Sequence, residues 1–190
     1  MIRNSATDWG AIAKFLHWAG AALIVALLAH GWWMVEVPAR DARFANYSWH
    51  ASIGYATLVL LVIRIAWRWT NVVPALPSGA ARWERASAAL GHWGLYALTL
   101  CASFSGWALA GTFRRPLDAS LLGLFPVPAL VSSQDRTLHE QLESAHSVLA
   151  WVLLALIFVH IAAATYHHIV KKNDVMQRML PFGCKRIERS

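Results

Sequence analysis

The fold is decided by HSVLAWVLLALIFVH, His146 to His160. Thirteen residues without a formal charge separate two imidazoles. A segment of this kind suits the interior of a bilayer, where an intramembrane histidine needs a partner on a neighbouring helix. Extended to Leu142–His168, it is one of four windows of similar character. The others run from Ala11 to Val35, from about residue 48 to Trp69, and from Ala88 to Gly111. Each holds about 20 residues or more, enough at ~1.5 Å per residue to cross a hydrocarbon layer of about 30 Å.

The composition agrees. Of 190 residues, 57% are hydrophobic and the mean hydropathy is +0.42, above the roughly 45–50% of an ordinary soluble domain. The expected architecture is an all-α integral membrane protein, one domain of four spans at roughly 11–35, 48–69, 88–111 and 142–168. The first window is longer than a secretory h-region and is interrupted by Lys14 and His17, so it is expected to be an uncleaved span.

Charge sets the expected orientation. Twelve lysines and arginines fall on the N-terminus, the second connection and the tail, including Lys14, Arg64, Arg68, Lys171 and Lys172. Five fall on the first and third connections: Arg40, Arg43, Arg114, Arg115 and Arg136. The positive-inside rule then places both termini in the cytoplasm. The net charge of +7 follows from this bias and is no nucleic-acid footprint. Trp32, Trp33, Trp49, Trp67, Trp69, Trp83 and Trp93 lie near span ends, where aromatic belts form.

Two cysteines, Cys101 in the third span and Cys184 in the tail, give neither a disulfide framework nor a C-x-x-C-H haem attachment motif. The nine histidines carry more information. His146 and His160 are 14 residues apart, which is about 21 Å along a helix with the two rings within about 40° of one face. His50 starts the second span at the depth of His146. His17 lies at the depth of His160, with His92 as a competing partner there. Two imidazoles from facing helices form an axial pair for a haem iron. Such a group would be non-covalent, b-type and closed to oxygen, and so would serve electron transfer. His30 is rotated away from His17 and is expected to hydrogen-bond between helices. His139, in TLHEQLE, is expected in a solvated loop. A histidine-lined metal carrier is the rival reading, although no carboxylate falls in a span core.

With these residues in place, the chain resembles the bacterial cytochrome b561 family, relatives of the cytochrome b subunits of formate dehydrogenase and nickel–iron hydrogenase. The likeness is carried by K-F-L-H-W at 14–18, H-A-S-I-G at 50–54, V-I-R-I-A-W-R at 62–68, G-H-W-G-L-Y at 91–96, the His146 and His160 pair, and H-H-I-V-K-K-N-D-V-M-Q-R-M-L-P from His167 to Pro181. The resemblance implies a four-helix bundle enclosing two b-type haems in a bacterial inner membrane. It implies His17 paired with His160 and His50 with His146, and exchange of electrons with ubiquinone.

Gly54, one turn after His50, would let a porphyrin approach the helix or let helices pack closely. Arg64 and Arg68 would neutralise propionates or anchor the cytoplasmic end. A quinone site is expected from His92 and His167 with Lys171 or Lys172, since imidazoles near neutral pKa can deliver protons. The resemblance further implies superoxide oxidation at the periplasmic face; Arg114 and Arg115, or Arg40, Arg43 and Arg136, are candidates for steering the anion. Glu36, Asp41, Asp118, Asp135 and Glu140 share those loops, so only a local cluster could act this way. The alternative is an anchor subunit relaying electrons from a partner dehydrogenase.

Overall fold

The computed structural model describes residues 1–36, 39–76, 79, 81–115, 117 and 119–181. Asp118, Cys184, Lys185, Arg186 and Arg189, and the side chains of Arg40 and Asp41, lie outside the described residues. Four long helices follow one another: α1 (Ala11–Glu36), α2 (Arg40–Thr70), α3 (Arg82–Ala110) and α4 (Arg136–Ile169). A two-strand ribbon, β1 (Ser120–Leu121) and β2 (Phe125–Pro126), lies between α3 and α4, and a short α5 (Val175–Met179) follows. The helices pack in sequence, α1 on α2, α2 on α3 and α3 on α4.

Three of them, α1, the Ala42–Thr70 part of α2, and α4, are long and apolar enough to cross a membrane. Residues 88–110 of α3 carry no formal charge either, but glycines, serines, His92, Tyr96 and tryptophans dilute their hydropathy. Helices α2, α3 and α4 begin earlier than the expected spans because polar turns extend them. Asp135 caps α4 by accepting from Thr137 N–H at 2.8 Å. Glu84 accepts from Ala81 N–H at 2.7 Å at the start of α3.

The surface is that of a protein in lipid. Among the described apolar residues only Ala13, Leu16, Tyr55, Leu61, Tyr96, Ala108 and Leu153 are buried, while Phe15, Trp32, Val62, Leu90, Trp151, Phe158 and Val159 face outward. Cys101 is exposed on α3. Of the expected belt tryptophans, six are outward-facing, whereas Trp67 buries its indole N–H without a partner. Two buried threonine hydroxyls are satisfied within their own helices. Thr57 donates to Ile53 O at 2.9 Å and Thr99 to Leu95 O at 2.7 Å, the i−4 bonding that hides a hydroxyl within a helix.

The connections sort by end. At one end, Asn4 donates to Val72 O at 2.8 Å, Ala75 N–H to Ala6 O at 3.0 Å, Arg178 to Ala75 O at 2.9 Å, and Trp18 to Met179 O at 2.8 Å. The N-terminal segment, the α2–α3 connection and the segment after α4 are thereby tied together. At the other end, Leu122 and Gly123 take positive φ (53° and 75°) and turn the ribbon, as a tight hairpin requires. Ser52 of α2 holds that ribbon by donating to Ser120 O and accepting from Leu122 N–H at 3.2 Å.

Candidate functional site

Four helices bring imidazoles together at two levels. At the ribbon end, the rings of His50 (α2) and His146 (α4) have centroids 6.2 Å apart at 90° to one another. At the opposite level, His17 (α1) and His160 (α4) stand 6.4 Å apart at 62°. His92 (α3) is 5.5 Å from His160, so three rings share this second level. Two imidazoles bound to one metal from opposite sides, each with a bond of about 2 Å, place their centroids roughly 6 Å apart. Both α2–α4 and α1–α4 pairs match that spacing.

The surroundings of each ring test the fit further. His146 Nδ1 lies 3.0 Å from Ala102 O and 3.0 Å from Ser105 Oγ. A carbonyl can only accept, so Nδ1 carries the proton and Nε2 keeps a lone pair, the arrangement of a metal-ligating histidine. Ser105 is followed by Gly106, where an added Cβ would stand 2.9 Å from His146 Cε1. His50 lies against Gly31 of α1 in the same way, 3.3 Å from the position a Cβ would take. Its Nδ1 is buried without a partner. A Cβ on Gly54 would meet nothing within 4 Å. Close helix packing therefore does not account for that glycine, whereas open space beside His50 suits a flat macrocycle. The spacing and surroundings of the His50–His146 pair fit a b-type haem.

The His17–His160 pair differs in one respect. Arg64 Nη2 donates to His17 Nδ1 at 2.9 Å, which places the neutral ring's proton on Nε2. Ligation through Nε2 would require Arg64 to let go of the ring. Arg64 and Arg68 turn inward over Tyr96, 5.3 Å and 5.9 Å from its centroid, and Arg68 also approaches Trp93 at 5.9 Å. Both arginines border the His17 level, and an anionic propionate is a natural partner for a displaced guanidinium.

The residues expected to form a quinone site are only partly gathered. His92 belongs to the interior level beside His160. His167 Nδ1 accepts from Asn173 Nδ2 at 2.9 Å, and His168 is exposed. Lys171 is committed to Glu84 at 3.0 Å. Glu84, 5% exposed, was not singled out from the sequence; its position three residues after the start of the α3 turn was the available signal. The Ala81 N–H, and then Lys171, hold its carboxyl below its ordinary 4.5. A depressed folded value means the stabilisation is present above 4.5 and fades as the pH falls through the folded value. The expected result is several-fold faster amide exchange in residues 81–87 and 167–173 on acidification below that point, after correction for intrinsic rates. Glu84→Gln should show the faster exchange already at neutral pH and lose the pH dependence.

Two further histidines are placed differently from expectation or more informatively. His30 Nε2 lies 3.2 Å from Asn46 Oδ1, the interhelical bond expected of it. It also stacks on His50 at 5.8 Å and 17°, because the comparison that matters is across helices and not along α1. The expectation of a loop for His139 is corrected. It sits in the first turns of α4, with Nδ1 2.7 Å from Thr112 Oγ1 and its ring edge-on to Phe113 at 4.9 Å. The polar TLHEQLE run is helical because Asp135 caps it.

At this end Arg114 and Arg115 come together with Arg136 around a cavity of about 470 Å³, also lined by Phe44, Phe113 and His139. Arg115 lies over the Phe44 ring at 4.5 Å, and Arg136 is paired with Glu140 at 2.7 Å. Among the described residues, no three His, Cys, Asp or Glu side chains converge on a point that could hold a bare metal ion. The imidazoles come in facing sets.

Comparison with known proteins agrees with this geometry. The sequence pattern of prokaryotic cytochrome b561 matches residues 8–182. The chain is 31% identical over 179 residues to "Cytochrome b561 homolog 2" of Escherichia coli strain K12, spanning 93% of each protein. It is 28% identical over 170 residues to "Probable superoxide oxidase CybB" of Yersinia pestis, covering 87% of this chain and 92% of that one. Paired imidazoles between apolar helices, and a match along almost the whole length, have one common explanation: the chain belongs to the prokaryotic cytochrome b561 family, membrane electron-transfer proteins that carry b-type haem.

Proposed function

We propose that the protein is a di-haem cytochrome that moves electrons across a bacterial inner membrane, from superoxide at the periplasmic face to ubiquinone near the cytoplasmic face. In this reading all four long helices span the membrane and both termini are cytoplasmic. The observation that carries it is the pair of facing imidazole sets, His50–His146 and His17–His160, both using α4 and both at about 6.3 Å between centroids. Haem iron held by two imidazoles exchanges single electrons and offers no open position to oxygen.

The chain's own residues do the rest. Ala102 O and Ser105 set the proton position of His146. Arg64 and Arg68 offer charge to propionates at the inner level. Arg114 and Arg115 supply the local positive field for an anionic donor. His92 and His167, near the cytoplasmic end, pass protons to the reduced quinone. Two superoxide anions each lose one electron and leave as dioxygen. One ubiquinone takes the two electrons and two protons.

The test is rapid mixing of the oxidised, haem-containing protein with superoxide, with and without ubiquinone. Haem reduction within the mixing experiment, followed by reoxidation only when quinone is present, is expected. His92→Gln and His167→Gln should slow the reoxidation phase by about 10–100-fold, the scale of a lost proton-transfer group, while both haem spectra persist. Reoxidation at the parental rate in both variants would remove these residues from the quinone site. A haem that superoxide leaves oxidised would remove the donor and favour the anchor-subunit alternative.

A further inference from the structure

The ribbon end contains a register that the outer imidazole pair does not use. On the α3–α4 seam, Ser105 meets His146 and, seven residues outward on both helices, Thr112 meets His139. Seven residues are two turns, about 10.5 Å along the axis. Thr112 Oγ1 donates to Leu109 O at 2.8 Å, so it accepts from His139 Nδ1–H. His139 is thereby fixed in the same tautomer as His146, with Nε2 as its remaining acceptor, and it lines the 470 Å³ cavity.

A second cavity of about 410 Å³ shares Phe113, Arg114 and Gln134 with the first and reaches Tyr55, which follows Gly54 and packs on Trp107 at 6.0 Å. The two spaces together run from the exposed guanidinium groups toward the outer imidazole level. A diatomic anion needs a volume on the order of one water, ~30 Å³. A cavity of this size with two phenylalanine rings and a few directed polar groups suits a small organic molecule. Arg114 and Arg115 have no ion pair among the described residues, and Asp135 is the single carboxylate in the lining of the first cavity.

We propose that this cavity is a donor site for an aromatic acid with an oxidisable ring hydroxyl, a hydroxyaromatic anion. The acid group would lie on Arg114 and Arg115, the ring between Phe44 and Phe113, and the hydroxyl on His139 Nε2. The proposal rests on the outer pair being a haem site and widens the donor class beyond superoxide. The step balances as one electron and one proton. The hydroxyl O–H bond would break, its proton would pass to His139 Nε2, its electron would go to a ferric haem held by His50 and His146, and the donor would leave as the oxygen-centred radical.

Two probes test it on the full-length protein in lipid nanodiscs. Benzene-1,2-dicarboxylate, which is not a reductant, should bind by calorimetry and bind at least tenfold more weakly to the Arg114→Gln/Arg115→Gln variant. In rapid mixing, 2,5-dihydroxybenzenesulfonate should reduce the outer haem with a rate that saturates. Its advantage over uncharged hydroquinone should fall at least tenfold in the same variant. His139→Gln should slow the sulfonate reaction at least tenfold, with the haem spectrum unaltered. Dicarboxylate that fails to bind, or binds both proteins equally, overturns the site. So does an unchanged sulfonate-to-hydroquinone ratio. A protein without the haem spectrum refutes the function proposed above instead, and the calorimetry still decides whether the cavity binds the acid.

Discussion

Replacing His146 by leucine should halve the haem content of the purified protein, and replacing His160 should do the same at the other level. The two positions are about 21 Å apart along α4, far beyond the separation at which substitutions couple. Each variant should therefore lose its own group and keep the other. Leucine preserves helix propensity and lipid compatibility, so the helix itself should survive. Each site would lose one of the two imidazoles proposed to hold its haem. The partner, His50 or His17, then faces an apolar residue across a space already about 6 Å wide between ring centres.

The double variant should purify without a Soret band. His92 provides the internal control, because it is 5.5 Å from His160 and is the competing candidate ligand. His92→Leu should retain both haems by pyridine haemochrome assay. Loss of the inner haem in His92→Leu, together with its retention in His17→Leu, would reassign the inner ligand from α1 to α3. Retention of both haems in the His146 and His160 double variant would refute the ligand scheme altogether.

The helices and the two histidine levels were legible because each depends on a periodicity that survives folding. Fourteen residues of α4 fix the relative direction and depth of His146 and His160 regardless of what packs around them. The groups that support those rings were not legible, because they come from other helices at a register set by packing. Ser105, Gly106 and Gly31 carry no signal until α3 is known to run against α4 and α1 against α2. The same holds for the repeat of Ser105–His146 in Thr112–His139, which becomes visible once the antiparallel register is fixed. His139 was misplaced because a polar run resembles a loop when its cap is overlooked. Lys171 looked available for a ligand because its partner, Glu84, lies 87 residues earlier. Arg114 and Arg115 stood in loops of balanced charge, and only the fold shows them gathered with Arg136 and Asp135 around one cavity.

Gly106→Ala and Gly54→Ala make a pair whose outcomes should diverge. A Cβ at Gly106 would stand 2.9 Å from His146 Cε1 and 3.3 Å from Nδ1, so the ring must move. Its freedom to do so is limited by Ala102 O and Ser105 Oγ, which hold Nδ1 at 3.0 Å. Alanine gains about 0.5–1 kcal/mol over glycine in a helix interior, but overpacking a tight contact costs typically 1–3 kcal/mol. The net effect should be unfavourable with or without haem. In the haem-loaded protein the displaced imidazole should shift the outer-level potential and lower its occupancy, leaving the inner level unaltered. At Gly54 a Cβ meets nothing within 4 Å, so the haem-free protein should keep or slightly gain thermal stability. If the macrocycle lies over that backbone, however, Gly54→Ala should reduce outer haem occupancy as strongly as Gly106→Ala. Redox titration monitored in the α-band, beside thermal unfolding of the haem-free protein, reads both effects. Full outer occupancy and an unmoved potential in Gly54→Ala would place the macrocycle elsewhere, and the same result in Gly106→Ala would show that His146 is free to tilt without losing the iron.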